Sequence, residues 1–164
     1  MIGCIQNNNM SRWDKLDSSS NKQHLVVKYN HKMKNVKCGC VVLDETLTYI
    51  VLVQNNYAYL SGKEQWGLPK GQRECGETFA NCASRELLEE TGLNIPIRNN
   101  MLKIKIINTY YFPIIVKHTP DLYPNDKDEI RSAKWFPIAD MDKVPINKET
   151  KLFIKLKLDK ITKP

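Results

Sequence analysis

The chain has 164 residues, 41% apolar and 26% charged, and its 25 basic against 18 acidic residues give a formal net charge of +7. This length suits one domain with a sizeable core and no second domain; no apolar run approaches a membrane span, and the N-terminus lacks a charged-then-apolar export signal. A globular, soluble, cytoplasmic protein is therefore expected. The basic excess favours a polyanionic partner, with nucleic acid the usual one. Five cysteines (Cys4, Cys38, Cys40, Cys75 and Cys82) are an odd number without zinc-ribbon spacing, which predicts free thiols in a reducing compartment. Cys75 and Cys82 read as small buried thiols.

Residues 1–35 are polar, rich in Asn and Ser and without periodicity, so they read as a loosely held N-terminal arm preceding a domain over 36–164. Cys38 to Leu43 and Tyr49 to Gln54 read as apolar strands joined by a hairpin through Asp44-Glu45-Thr46. Asn55 to Gln65 reads as a loop, in which Tyr57 and Tyr59 would either stack on a base or pack half-buried. Thr78 to Thr91 is free of Pro and Gly and predicts a helix that Gly92 can end in a left-handed turn. Leu102 to Tyr111 and Phe112 to Lys117 read as strands interrupted near Pro113, and Lys134 to Ile138 as another. Asn147 to Lys160 has helical spacing, with Leu152, Phe153 and Leu156 on one side. Lysines cluster at Lys28, Lys32, Lys34 and Lys37, and again at Lys148, Lys151, Lys155, Lys157 and Lys160.

The segment Gly71 to Leu93, GQRECGETFANCASRELLEETGL, is the most informative. At about 100° per residue, Glu86 and Glu90 lie one turn apart with Glu89 between them, so three carboxylates share one side of the helix. Ala80, Ala83, Leu87 and Leu88 gather on another arc that can face a core. Like charges at this spacing repel and push one pKa upward unless a cation joins them. Oxygen-only ligands suit magnesium or manganese, and no His or Cys is spaced to make zinc the better choice.

The same segment resembles the Nudix box, G-x5-E-x7-R-E-U-x-E-E-x-G-U with U apolar, at every defined position. The resemblance implies an α/β fold, a Nudix-type α/β/α sandwich with a mixed sheet and a catalytic loop-helix. It implies a metal-dependent hydrolase of a nucleoside diphosphate linked to another group, using Mg2+ or Mn2+. By position, Glu86, Glu89 and Glu90 would hold the metals, with the Gly71 carbonyl as a further ligand and Glu90 catalytic. Glu77, Arg85 and Gly92 would be structural, Glu77 pairing with Arg85 to brace loop against helix; an ordinary pairing of Arg85 with Glu89 is the alternative.

Upstream, Trp66-Gly67-Leu68-Pro69-Lys70-Gly71 joins the box without a gap and is similar to the W-G-x-P-K-G lead of Nudix members. There Lys70 would approach substrate phosphates and Trp66 would bind substrate, and from the 55–65 loop Tyr57 is the further candidate to bind substrate by stacking. Downstream, Asp126 to Ile138 resembles the acidic loop and aromatic strand of the mRNA-decapping group, cellular and large-DNA-virus members included. Glu129 is the expected base or ligand from that loop, with Asp126 and Asp128 as competing choices. The implied substrate is the 5′ cap of mRNA, released as 7-methylguanosine diphosphate, and the implied partner is capped RNA. The extra N-terminal regulatory domain common in that group is not expected here. Dinucleoside or diphosphoinositol polyphosphates are the alternative substrates, and a non-catalytic RNA-binding module the alternative of another class.

Overall fold

The computed structural model describes residues 36–156. The polar arm, Cys4, Lys28, Lys32 and Lys34 lie outside that range, as do Lys157 and Lys160. In chain order the elements are β1 (Lys37–Asp44), β2 (Tyr49–Asn55), α1 (Asn56–Leu60), β3 (Trp66–Gly67), β4 (Lys70–Gln72), α2 (Phe79–Thr91), β5 (Ile104–Ile106), β6 (Thr109–Val116), β7 (Ile130–Pro137), a 3-10 turn (Ile138–Asp140) and α3 (Lys148–Leu156).

The sheet is mixed: β1 runs parallel to β6 over its whole length, while β5 on β6 and β7 on β2 are antiparallel. β1 and β2 meet at Leu43 and Ile50 beside their hairpin. Beyond that pair, β1 takes β4 as partner and β2 takes β3. Two sheet wings thus leave the hairpin.

Alternation along β1 explains the layering, because successive strand residues face opposite sides. Cys38, Cys40 and Val42 pack with Ala80, Ala83 and Leu87 of α2. Val41 and Leu43 pack with Leu68, Met141 and Phe153 toward α3. A strand buried on both faces reads as a continuous apolar run, and that is how β1 reads in the sequence. The result is an α/β/α arrangement with the sheet central.

Several expectations are corrected. The 55–65 loop opens with α1, whose N-cap is Asn55; its side chain accepts hydrogen bonds from the Tyr57 and Ala58 amides. Pro113 does not interrupt β6, where it pairs with Val41 of β1. The last β6 residue paired to β5 is Tyr111, so Pro113 sits beside an open edge, where a missing N–H costs no ladder bond. Leu88 and Leu156 are exposed rather than core-facing, and Cys75 is exposed rather than buried. Cys38, Cys40 and Cys82 are buried free thiols; burial pushes the Cys40 thiol far above its ordinary range.

Candidate active site

The box begins where β4 returns along β1, with Gly71 opposite Cys38 and Lys70 opposite Gly39. The chain then loops to Thr78, whose hydroxyl accepts from the Asn81 amide as N-cap of α2. After thirteen helical residues Gly92 stops the helix at φ +78°, a conformation that suits glycine. This geometry turns Glu86 and Glu90 toward the sheet edge and leaves Glu89 more open.

Gly71 is matched to that helix by close approach. A methyl group at this position would lie 2.0 Å from Glu86 Oε2, so the loop backbone reaches the carboxylate only because it carries no side chain.

Charge around the loop is organised by Arg85. Its Nε and Nη2 donate to Glu77 Oε1 and Oε2 at 3.0 and 3.2 Å, a bidentate pair, and Nη2 also donates to the Gln72 carbonyl at 3.1 Å. Nη1 lies 2.7 Å from Glu86 and 2.9 Å from Glu89. Both expected partners of Arg85, Glu77 and Glu89, are therefore engaged together. Arg85 and the Glu74 amide hold Glu77 below the usual carboxylate range, against an opposing effect of burial.

Glu90 is 5% exposed and accepts from the Lys70 amide at 2.7 Å. Burial drives its pKa well above the ordinary value; the Lys70 amide counteracts this, and nearby Glu86 and Glu129 add to it. Burial also raises Glu86, against the lowering effect of Arg85. Both carboxyls are raised, Glu86 despite the Arg85 guanidinium 2.7 Å away, and a further cation beside them would favour their charged forms.

Among the described residues no three acidic side chains are gathered closely enough to clasp an ion as they stand; Arg85 Nη1 stands between Glu86 and Glu89. The donors themselves suit a hard divalent cation. They are oxygen-only, two are buried carboxylates, and the Gly71 backbone lies against one of them.

Opposite α2 stands the segment carrying Glu129. The amides of Tyr123, Asn125 and Asp126 donate to the carbonyls of Thr91 and Glu89 at 2.8–3.0 Å, satisfying the open end of α2. Asp126 Oδ1 accepts from the Asp128 and Glu129 amides, and Asn56 Nδ2 donates to the carbonyls of Lys127 and Asp128. Asn55 Nδ2 lies 3.4 Å from Glu129 Oε1. Asp126 thus shapes the turn, and Glu129 rather than Asp126 or Asp128 reaches the cleft. Asn55 and Asn56 were missed in the sequence, although an N-capping Asn before a short helix was a signal in plain sight.

A cleft of about 500 Å³ is lined by Lys70, Gly71, Glu86, Glu89, Glu90 and Glu129 together with Arg85. Lys70 Nζ lies 3.5 Å from Glu149 of α3, whose carboxylate also accepts from Thr109 and Tyr111. Glu149 is a further residue the sequence did not flag. Two expected substrate-binding residues stand elsewhere. Trp66 packs edge-on against Phe136 at 4.7 Å, as an apolar ring beside the α3-side core should, while its neighbours Gln65 and Gly67 line the cleft. Tyr57 is 81% exposed and outside the cleft lining, because α1 turns Ala58 toward it instead.

A glutamate-bearing loop-helix along an open cleft, set in a mixed sheet between helical layers, defines a phosphoanhydride hydrolase domain. Residues 33–156 match the NUDIX domain, and the chain belongs to the Nudix family, whose hydrolases act on pyrophosphate bonds. It is 34% identical over 109 residues to the m7GpppN-mRNA hydrolase dcap-2 of Caenorhabditis elegans, covering 63% of this chain and 14% of that protein. It is 30% identical over 117 residues to mRNA decapping complex subunit 2 of Schizosaccharomyces pombe, covering 67% and 15%. The chain thus spans about one seventh of the length of these two relatives. The fold is similar to the NUDIX domain of Shewanella oneidensis NrtR complexed with ADP ribose, with a TM-score of 0.64 at 17% identity, covering 88% of this chain and 100% of that one. Among the described residues no helix is long and apolar enough to cross a membrane.

Proposed function

We propose that this domain hydrolyses the pyrophosphate bridge of the mRNA 5′ cap and releases 7-methylguanosine diphosphate. The observation that carries the chemistry is the convergence of Glu86, Glu89, Glu90, Glu129 and Lys70 on one cleft. The choice of capped RNA rests on the likeness to the two decapping enzymes and on the net charge of +7.

Glu86, Glu89 and Glu90, with the Gly71 carbonyl, would hold Mg2+ or Mn2+. The ion, when bound, supplies charge neutralisation for the phosphates and acidity for the attacking water. To free those carboxylates Arg85 would release Glu86 and Glu89 while keeping its bidentate hold on Glu77. The Glu129 carboxylate accepts the proton of the attacking water, since modest basicity suffices there. Lys70 Nζ turns from Glu149 to a phosphate oxygen and offsets charge on the leaving group.

The test is a substrate panel with magnesium or manganese: capped RNA, free cap dinucleotide, a diadenosine polyphosphate and a diphosphoinositol polyphosphate. Capped RNA should be cleaved best, with 7-methylguanosine diphosphate as product. Preference for either small polyphosphate refutes the cap assignment, and inactivity on all four would return the chain to a binding module.

A further inference from the structure

Beside the catalytic loop, and outside the cleft, lies a second organised group of side chains. Phe79, the first residue of α2, stacks on Tyr110 of β6 with ring centroids 4.8 Å apart and planes at 26°. Arg73 and Lys103 stand over the Phe79 ring at 5.3 and 5.8 Å, and Lys105 over the Tyr110 ring at 5.4 Å. Three cations are therefore fixed on one aromatic ledge at cation–π distance.

The ledge is charged without local neutralisation. None of Arg73, Lys103 and Lys105 takes part in an ion pair among the described residues. Both lysines are exposed, and both rings are half-buried. Arg73 Nη1 donates to the Glu77 carbonyl at 3.2 Å, and its Nε is the one buried side-chain nitrogen or oxygen among the described residues with no hydrogen-bond partner. Packing three like charges within reach of one ring pair raises their mutual repulsion, which a polyanion relieves.

Position decides which polyanion. Arg73 directly follows Gln72, a cleft-lining residue, and its amide donates to Val36 beside cleft-lining Lys37. The ledge therefore begins one residue from the cleft and continues to β5, the last strand on that side of the sheet. Basic side chains interleaved with aromatic rings along a surface suit a single-stranded phosphodiester backbone, whose charges repeat and whose bases offer flat faces.

We infer that the ledge formed by Arg73, Phe79, Lys103, Lys105 and Tyr110 binds single-stranded RNA leading away from the cleft. The inference deepens the cap-hydrolysis reading, but binding of uncapped RNA tests it separately.

The probe is a fluorescent uncapped single-stranded RNA of about 20 nucleotides, titrated with the full chain at several salt concentrations. Each phosphate contact on a single strand contributes about 0.7 to the slope of log affinity against log salt. The double variant Lys103→Gln/Lys105→Gln should lower that slope by about 1.4, two contacts at about 0.7 each, and weaken binding, with little change in melting temperature because both lysines are exposed and their ring contacts are weak there. Lys151→Gln/Lys155→Gln on α3 should leave the slope as it was. An unchanged slope in the ledge variant, a loss in the α3 variant instead, or wild-type binding to phosphatidylserine vesicles in preference to RNA, overturns the inference.

With capped RNA the ledge variant should raise KM at constant kcat, and with free cap dinucleotide neither should move. A lowered RNA-binding slope in a protein that cleaves no capped substrate upholds the ledge and refutes the cap reading. Cleavage of capped RNA with an unaltered slope does the reverse.

Discussion

Gly71→Ala tests whether the close fit of loop and helix is what makes the cleft catalytic. The added methyl would lie 2.0, 2.1 and 2.2 Å from Oε2, Cδ and Oε1 of Glu86. Carbon contacts settle at about 3.5 Å, so the carboxylate must retreat by about 1.5 Å or the loop must shift as far. A displacement of about 1 Å at a reacting centre costs about 100-fold in rate, equivalent to about 2.7 kcal/mol of transition-state stabilisation. The atoms met are the end of a side chain, so the fold should absorb the change with a small loss of melting temperature. Steady-state kcat/KM on the best panel substrate, beside a thermal melt, reads both quantities. Activity within about threefold of the parent, or a collapse of the melt, would show that Gly71 is not there to admit Glu86.

Other outcomes follow from the same geometry. Glu90→Gln keeps an acceptor for the Lys70 amide and removes a charge that burial disfavours, so turnover should be abolished while the melting temperature holds or rises; retained hydrolysis in magnesium removes Glu90 from the site. Asp44→Ala deletes acceptors for the Thr46, Thr48 and Tyr49 amides and should cost about 1–2 kcal/mol, allowing for solvent screening. Burial would raise the Asp44 carboxyl, but bonds from Thr46, Tyr49 and Thr48 outweigh it and hold it below its usual range. That stability is full above the unfolded-state pKa and is lost as pH falls through the lower folded-state value, so the gap between parent and variant in denaturant melts should close in acid; a constant gap contradicts the assignment. Phe153→Ala, at a fully buried ring, should cost about 3–5 kcal/mol in urea unfolding. Among the described cysteines, Cys75 should alkylate first in the native protein, with Cys38, Cys40 and Cys82 protected until unfolding; mass spectrometry of labelled peptides decides this.

What the sequence made legible was what depends on local spacing. β1 and α2 fall within a residue or so of their expected bounds, because an unbroken apolar run and a capped, glycine-ended helix are written in adjacent residues. α1 was hidden because a five-residue helix carries too few positions for periodicity, despite its Asn55 cap. Pro113 misled because whether a proline breaks a strand depends on which edge is open, and this is set by where β5 ends. Within the cleft, the three box glutamates could be read from helical phase. The Arg85 contacts to Glu86, the packing of Trp66 on Phe136 and the meeting of Lys70 with Glu149 could not, since each joins side chains whose directions are fixed by tertiary packing.

The amides that close the end of α2 belong to the segment carrying Glu129, while the Trp135 indole grips the Pro120 carbonyl. The stretch before Tyr123 is thus tethered at both sides. Only Asp121 and Leu122 lie between those tethers, and Leu122 packs on the α2-side core, so the segment is pinned to the helix end it caps and the placing of Glu129 is inherited from backbone bonds rather than from its own side chain.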